Sequence, residues 1–125
     1  MGDEAYRLDP GPRRDDRTRL TVVALCAEWC GTCREFRPVF DAIAASMRDA
    51  RFVWIDIEEQ PEVTGDMEIE TFPTLGVLRG DRAVHFGPTT PQRTVVERLL
   101  RGLGAGGTVP EEAAAVLRRA SAPAS

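Results

Sequence analysis

The sequence predicts an α/β fold in which a central mixed β-sheet carries helices on both faces. Two apolar runs, LTVVALCA at residues 20–27 and FVWIDI at 52–57, are rich in β-branched residues. Such runs are typical of strands that are covered on both sides. Amphipathic segments and a hairpin follow them, giving the order β-α-β-α-β-β-α and then an extra C-terminal helix.

The first predicted helix follows the first strand directly and starts at the segment CGTC, residues 30–33. Its apolar positions recur at i, i+3, i+4 spacing, and charged residues occupy the opposite side. These positions are Phe36, Val39, Phe40, Ile43, Ala44 and Met47. The pattern indicates about five turns, within which Pro38 removes one hydrogen bond and should kink the axis.

A hairpin is predicted in the second half of the chain. Residues 58–70 are acidic and should form a short helix and a loop. Pro73 then opens a third strand, TLGVL, which turns at residues 79–81 and returns over 83–86. Apolar runs separated by such a short Gly-containing turn are expected to pair in antiparallel fashion.

Two helices close the predicted order. Thr90 and Pro91 are expected to begin the first, since Pro is favoured in the first turn of a helix. Its buried side comprises Val95, Val96, Leu99, Leu100 and Leu103. Thr108 is the predicted N-cap of a short final helix with a narrow apolar side at residues 116–117. We expect this helix to be a packing appendage.

The chain divides into three predicted segments. Residues 1–18 mix both charge signs with Gly and Pro and indicate a flexible arm, whereas 19–103 form the folded domain. Residues 104–125 are a Gly-rich connector and the short helix. At 125 residues the chain can bury a core without disulfide bonds.

Composition excludes several classes of function. The net charge is −4, which argues against a nucleic-acid-binding protein, and no apolar run approaches the length of a membrane span. The N-terminus lacks the apolar centre of a secretory signal, so a cytoplasmic location is expected. All 16 basic residues are Arg, so lysine chemistry is excluded.

The three cysteines are the candidate reactive groups. Cys30 and Cys33 form a CxxC pair at a predicted helix N-terminus, where free N–H groups and the helix dipole favour a thiolate. This arrangement predicts a redox dithiol. A zinc site uses the same spacing and could recruit Cys26 and His85, but no second CxxC exists, and we expect no metal. Cys26 is expected to be a buried core thiol.

Three motifs together resemble the thioredoxin family. They are AEWCGTC after a buried strand, Pro38 five residues beyond the second cysteine, and Thr71-Phe72-Pro73-Thr74 before the hairpin. The resemblance covers residues 19–103 and implies a thioredoxin-like fold. It also implies a thiol-disulfide oxidoreductase that works as a protein disulfide reductase, with disulfide-containing proteins as its substrates.

The resemblance assigns roles to individual residues. Cys30 becomes the nucleophile and Cys33 the resolving thiol, and the two form a redox-active disulfide without any bound cofactor. Pro73 is expected to follow a cis peptide bond beside them. The active-site and substrate-contact surface comprises Trp29, Gly31, Thr32, Phe72 and Pro73. An NADPH-dependent flavoprotein is the implied reductase, and a monomer is expected.

The sequence departs from the family pattern at three positions. Ala24 stands where a buried Asp is usual, and Trp54 stands where a Lys commonly faces it. Glu28, Asp56 or water could replace that Asp as the base for Cys33. Trp54 and Cys26 are further candidates for tuning the dithiol.

Thr32 replaces the proline of the common CGPC motif. It adds a backbone N–H and a hydroxyl that can stabilise the Cys30 thiolate, so a less reducing potential is expected. These departures leave a second function open, namely a binding or assembly module with the same fold and little turnover.

Overall fold

A computed structural model describes residues 19–122 of the protein, so the predicted arm over 1–18 lies outside the described residues. The chain order is β1 (Leu20–Cys26), α1 (Gly31–Ser46), β2 (Arg51–Asp56), α2 (Pro61–Thr64), β3 (Thr74–Arg79), β4 (Arg82–Pro88), α3 (Arg93–Arg101) and α4 (Glu111–Ser121). The predicted fold class, with the extra C-terminal helix, is confirmed.

The sheet has the strand order β2-β1-β3-β4. β1 runs parallel to β2 and antiparallel to β3, and β3 pairs with β4 as the predicted hairpin. Six of the seven residues of β1 are buried, since neighbouring strands cover both edges and helices cover both faces. The apolar run that predicted a central strand therefore lies at the centre of the sheet.

Each face of the sheet has its own hydrophobic core. On one face, α1 and α3 pack over β1 and β3, through residues such as Phe36, Ile43 and Leu100. On the other face, α2 and α4 contribute Val63, Val116 and Leu117 to a second cluster. Alternate residues of β1 and β2 supply the two cores, because successive side chains point to opposite faces.

The last helix differs most from expectation. The prediction of a narrow apolar side for this helix was wrong. The residues that α4 buries are Ala113, Ala114, Val116, Leu117 and Ala120. Arg119 Nε also donates to the carbonyl of Val63 at 2.8 Å, which ties α4 to α2. α4 therefore covers one face of the sheet, and its packing role is confirmed.

The starts of two helices also differ from the predicted positions. α3 begins at Arg93, and the Thr90 hydroxyl donates to Gln92 Oε1 at 3.2 Å rather than capping the helix. Val95, which was predicted on the buried side of this helix, is exposed. α4 begins at Glu111 rather than next to Thr108, since its first backbone hydrogen bond joins the Ala114 N–H to the Pro110 carbonyl at 2.9 Å.

None of the helices formed by residues 19–122 is both long enough and apolar enough to cross a membrane.

Candidate active site

The CxxC segment lies where β1 turns into α1. A tight turn follows the strand, in which the Cys30 N–H donates to the Ala27 carbonyl at 3.0 Å. Cys30 is the N-cap of α1, and its carbonyl accepts from the Arg34 N–H at 3.2 Å. The first turn of the helix thus presents its unpaired N–H groups to the Cys30 sulfur.

Cys30 has the environment of a nucleophilic thiol. Its side chain is partly exposed, and its pKa is lowered chiefly by the backbone N–H of Cys33. The Cys33 thiol and both the N–H and the hydroxyl of Thr32 act in the same direction, while burial opposes them. The two groups that Thr32 was expected to add are therefore directed at this sulfur.

Cys33 has the opposite character. It is 2% exposed, and burial raises the pKa of its thiol. Its thiol interacts with the thiols of both Cys30 and Cys26. The pair is therefore asymmetric, with a thiolate-forming sulfur at the surface and a protonated sulfur behind it.

An aromatic and proline surface adjoins the dithiol. Trp29 is 62% exposed, and the edge of its ring contacts Phe72 at a centroid distance of 5.7 Å. Its Nε1 donates to Glu58 Oε2 at 2.7 Å, which fixes the ring. The Phe72–Pro73 peptide bond is cis, as predicted, and the Pro73 carbonyl accepts from the Thr89 N–H at 3.0 Å.

A cavity of about 370 Å³ lies behind the dithiol. All the residues proposed for tuning meet there with the buried thiol. Its lining comprises Cys26, Ala27, Glu28, Cys33, Arg34, Arg37, Trp54, Asp56 and Glu59. Arg37 and Glu59 were missed by the sequence analysis. Arg37 lies one helical turn beyond Cys33, which is a usable signal, and its guanidinium stacks 4.7 Å from the centre of the Trp54 ring.

The position of the usual buried carboxylate is apolar here. Ala24 is fully buried and pairs in register with Trp54 of β2. Asp56, two residues further along β2, pairs in register with Cys26. Its Oδ1 accepts from the backbone N–H groups of Glu58 at 2.9 Å and Glu59 at 3.4 Å. A carboxylate therefore lies at the cavity edge rather than within the core.

Of the residues considered for zinc, His85 lies apart from the three cysteines. His85 lines a separate cavity, formed with Val95 and Leu99 of the α3 region. Within residues 19–122, the grouping with metal-ligand spacing consists of the carboxylates of Glu28, Asp56 and Glu59, without a thiol.

Comparison with known families agrees with this geometry. The family model described as Thioredoxin matches residues 14–99. The chain belongs to the thioredoxin family. The resemblance stated from the motifs is thus confirmed, and the CxxC pair and the cis proline occupy one end of a thioredoxin-like sheet.

Thioredoxins from distant organisms are similar to the chain. It is 34% identical over 74 residues to Thioredoxin H2-2 of Oryza sativa subsp. japonica, covering 59% of this chain and 55% of that protein. It is 40% identical over 69 residues to Putative thioredoxin 2 of Streptomyces coelicolor, covering 55% and 52%. The chain spans about half the length of the curated relatives it matches.

Solved thioredoxins share the fold. The structure of Fasciola hepatica thioredoxin superposes with a TM-score of 0.60 and 22% identity, covering 75% of this chain and 86% of that chain. This likeness shows the common fold of the thioredoxin family.

Proposed function

We propose that this thioredoxin-family chain is a thiol-disulfide oxidoreductase, working as a protein disulfide reductase. One observation carries the proposal. A partly exposed Cys30 with a lowered pKa stands at the N-terminus of α1, next to a buried Cys33 with a raised pKa. That order of reactivity matches a thiol that attacks and a thiol that resolves.

The proposed reaction is two successive thiol-disulfide exchanges. The Cys30 thiolate attacks one sulfur of a substrate disulfide, forming a mixed disulfide and releasing the other substrate sulfur as a thiolate. Cys33 then loses its proton and attacks the Cys30 sulfur. The second substrate thiolate leaves. The substrate disulfide is then reduced, and Cys30 and Cys33 are oxidised to a disulfide.

Asp56 is the proposed acceptor for the Cys33 proton. It is half-buried at the edge of the cavity that Cys33 lines, whereas Glu28 is exposed. Asp56 and Cys33 both line this cavity, and Ala24 offers no acceptor in the core. An aspartate side chain is a group that can act as a general base and take up a proton as the thiolate forms.

The substrate is proposed to bind across the surface around Trp29, Gly31, Thr32, Phe72 and Pro73. Trp29, Gly31 and Thr32 are exposed, and the Trp29–Phe72 contact provides an apolar platform beside the Cys30 sulfur. A substrate chain that places its disulfide over Cys30 would cover these side chains.

The remaining assignments follow from the same chemistry. No bound cofactor is proposed, because both electrons reside on the cysteine pair. An NADPH-dependent flavoprotein is proposed as the reductase that regenerates the dithiol. We also propose a monomer in the cytoplasm, where such a reductase keeps thiols reduced.

The direct test combines turnover with trapping. The protein should accelerate insulin reduction by dithiothreitol, and Cys33→Ser should instead hold substrates as mixed disulfides on Cys30, because the resolving sulfur is gone. The control is a Cys30→Ser/Cys33→Ser variant, which should trap nothing. A reversible Cys30–Cys33 disulfide without any acceleration of insulin reduction would contradict the proposal and favour a binding module.

The Thr32 contacts predict a redox potential that is less reducing than about −270 mV, the thioredoxin value. A stabilised Cys30 thiolate favours the reduced form, because the thiolate exists only in that form, and it therefore raises the potential. For this couple, about 30 mV corresponds to about 1.4 kcal/mol. Thr32→Pro removes both the N–H and the hydroxyl and should make the potential more negative by roughly 15–30 mV.

Thr32→Val separates the two groups, because it retains the N–H and loses only the hydroxyl. Its potential should lie between those of the other two proteins in a glutathione redox titration. An unchanged potential in Thr32→Pro would show that the Thr32 groups do not set the redox poise.

A further inference from the structure

The active site brings three thiols together rather than two. Cys33 interacts with both Cys30 and Cys26. Cys26 is 1% exposed and Cys33 is 2% exposed, so the contact between these two lies in the interior. The proposed reaction uses only Cys30 and Cys33 and leaves Cys26 without a role.

The fold places Cys26 against Cys33 for a simple reason. Side chains two residues apart on a strand share a face, so Cys26 points to the same side as Ala24, which packs beneath α1. Cys33 is on the buried side of the first turn of that helix. Both cysteines line the cavity of about 370 Å³, which leaves their sulfurs room to move.

We propose that the oxidised protein interconverts between two disulfides, the Cys30–Cys33 bond at the surface and a Cys26–Cys33 bond in the interior. This inference rests on the Cys30–Cys33 disulfide of the proposed function. It adds a second oxidised form, in which Cys30 is a free thiol at the surface.

The exchange is balanced within the chain. Cys26 gives its proton to Asp56, its register partner on β2, and its sulfur attacks the Cys33 sulfur. The Cys26–Cys33 bond forms, the Cys30–Cys33 bond breaks, and Cys30 leaves as a thiolate. The proton passes from Asp56 to solvent. One disulfide is exchanged for another, so no external oxidant or reductant takes part.

The properties of the three thiols favour Cys30 as the leaving group. Cys30 is the thiol whose pKa is lowered, and a sulfur of low pKa leaves fastest and is the most stable as a free thiolate. Burial raises the pKa values of Cys26 and Cys33, so their thiolates are less stable than that of Cys30. A bond between Cys26 and Cys33 leaves Cys30, the most stable thiolate, as the free sulfur. The rarity of the Cys26 thiolate makes the exchange slow.

The interior disulfide changes what the oxidised protein offers to partners. In the surface form, Cys30 is blocked and acts as a disulfide that a reductase can attack. In the interior form, the disulfide is buried and Cys30 stays nucleophilic. A mixed disulfide formed on Cys30 then cannot be resolved by Cys33, so it persists until the interior bond is reduced.

The test locates the free thiol of the fully oxidised wild-type protein. After native oxidation with diamide, acid quenching stops further exchange, because protonated thiols do not attack disulfides. Free thiols are labelled with N-ethylmaleimide in mildly acidic denaturant, and the remaining sulfurs are reduced and alkylated with iodoacetamide. Cleavage after Arg19, Glu28 and Arg34 separates LTVVALCAE, which carries Cys26, from WCGTCR, which carries the pair.

We expect the maleimide label on both peptides, with the label of WCGTCR on Cys30. A Cys30→Ser variant should also lose both remaining thiols on oxidation and stay monomeric, with a mass lower by two hydrogen atoms. Its control, Cys30→Ser/Cys26→Ala, should keep the Cys33 thiol free in the monomer.

The proposal is overturned by label confined to Cys26 in the wild-type protein, or by two free thiols or only intermolecular dimers in Cys30→Ser. Insulin reduction by the same wild-type preparation tests the proposed function separately. Turnover together with label confined to Cys26 would therefore remove the interior disulfide and leave the oxidoreductase.

Discussion

Replacing Cys30 by serine should reduce insulin reduction to the background rate of dithiothreitol alone. A serine hydroxyl is not ionised near neutral pH and forms no disulfide, so neither the attack nor the mixed disulfide is available. Cys33 cannot take over, since it is buried and its pKa is raised. We therefore expect a complete loss rather than a reduced rate.

The pH dependence of alkylation identifies the same sulfur. Iodoacetamide reacts with the thiolate, and the pKa of Cys30 is lowered from its ordinary value of about 8.5. The rapid phase should therefore reach half its maximum below that pH, decline as the pH falls through the lowered pKa, and disappear in Cys30→Ser. The variant should keep its thermal stability, because Cys30 is only partly buried. Turnover that survives in a folded Cys30→Ser protein would disprove this assignment.

Leu117→Ala should destabilise the protein by about 2–5 kcal/mol, the usual cost of a large-to-small change in a core. Leu117 is fully buried in α4 and belongs to the second core, with Val23 and Leu78 of the sheet. The cavity left behind faces the middle of β3, where the backbone cannot close it. Urea denaturation measures the loss, and Val95→Ala, on an exposed part of α3, should cost roughly 0.5 kcal/mol or less.

Gly76 provides a test of the same contact from the opposite side. A Cβ at Gly76 would lie 2.1 Å from Leu117 Cδ2 and 2.8 Å from Cδ1, so Gly76→Ala should cost about 1–3 kcal/mol through overpacking. In the double variant the alanine at 76 enters space that Leu117 has vacated. The combined loss should thus be smaller than the sum of the single losses, whereas strict additivity would contradict the contact.

The strands were predictable because their chemistry is local. β1 and β2 are apolar along their length, and the hairpin of β3 and β4 is marked by its turn. The layer formed by α4 was not, since three of its buried residues, Ala113, Ala114 and Ala120, are alanines. Alanine carries little hydrophobic signal in a sequence, and its burial depends on how closely the helix approaches the sheet.

Within the site, the sequence identified the groups but not the contacts behind them. Spacing placed Cys30 and Cys33 in one helical turn, and the motif with Pro73 located the cis bond that the structure contains. The approach of Cys26 to Cys33 depends on how α1 packs over β1, and the pairing of Asp56 with Cys26 depends on strand register. Neither can be derived from the separation of residues along the chain.

The position of α4 at the end of the described chain has a consequence for synthesis. A ribosome delivers all four strands before residues 111–121, so Val23, Leu25 and Leu78 have no partner from α4 while the sheet emerges. Because domains fold as units when their elements become available, the sheet stays open on one side during that interval. The nascent protein therefore leaves part of the apolar face of its sheet uncovered until α4 leaves the exit tunnel.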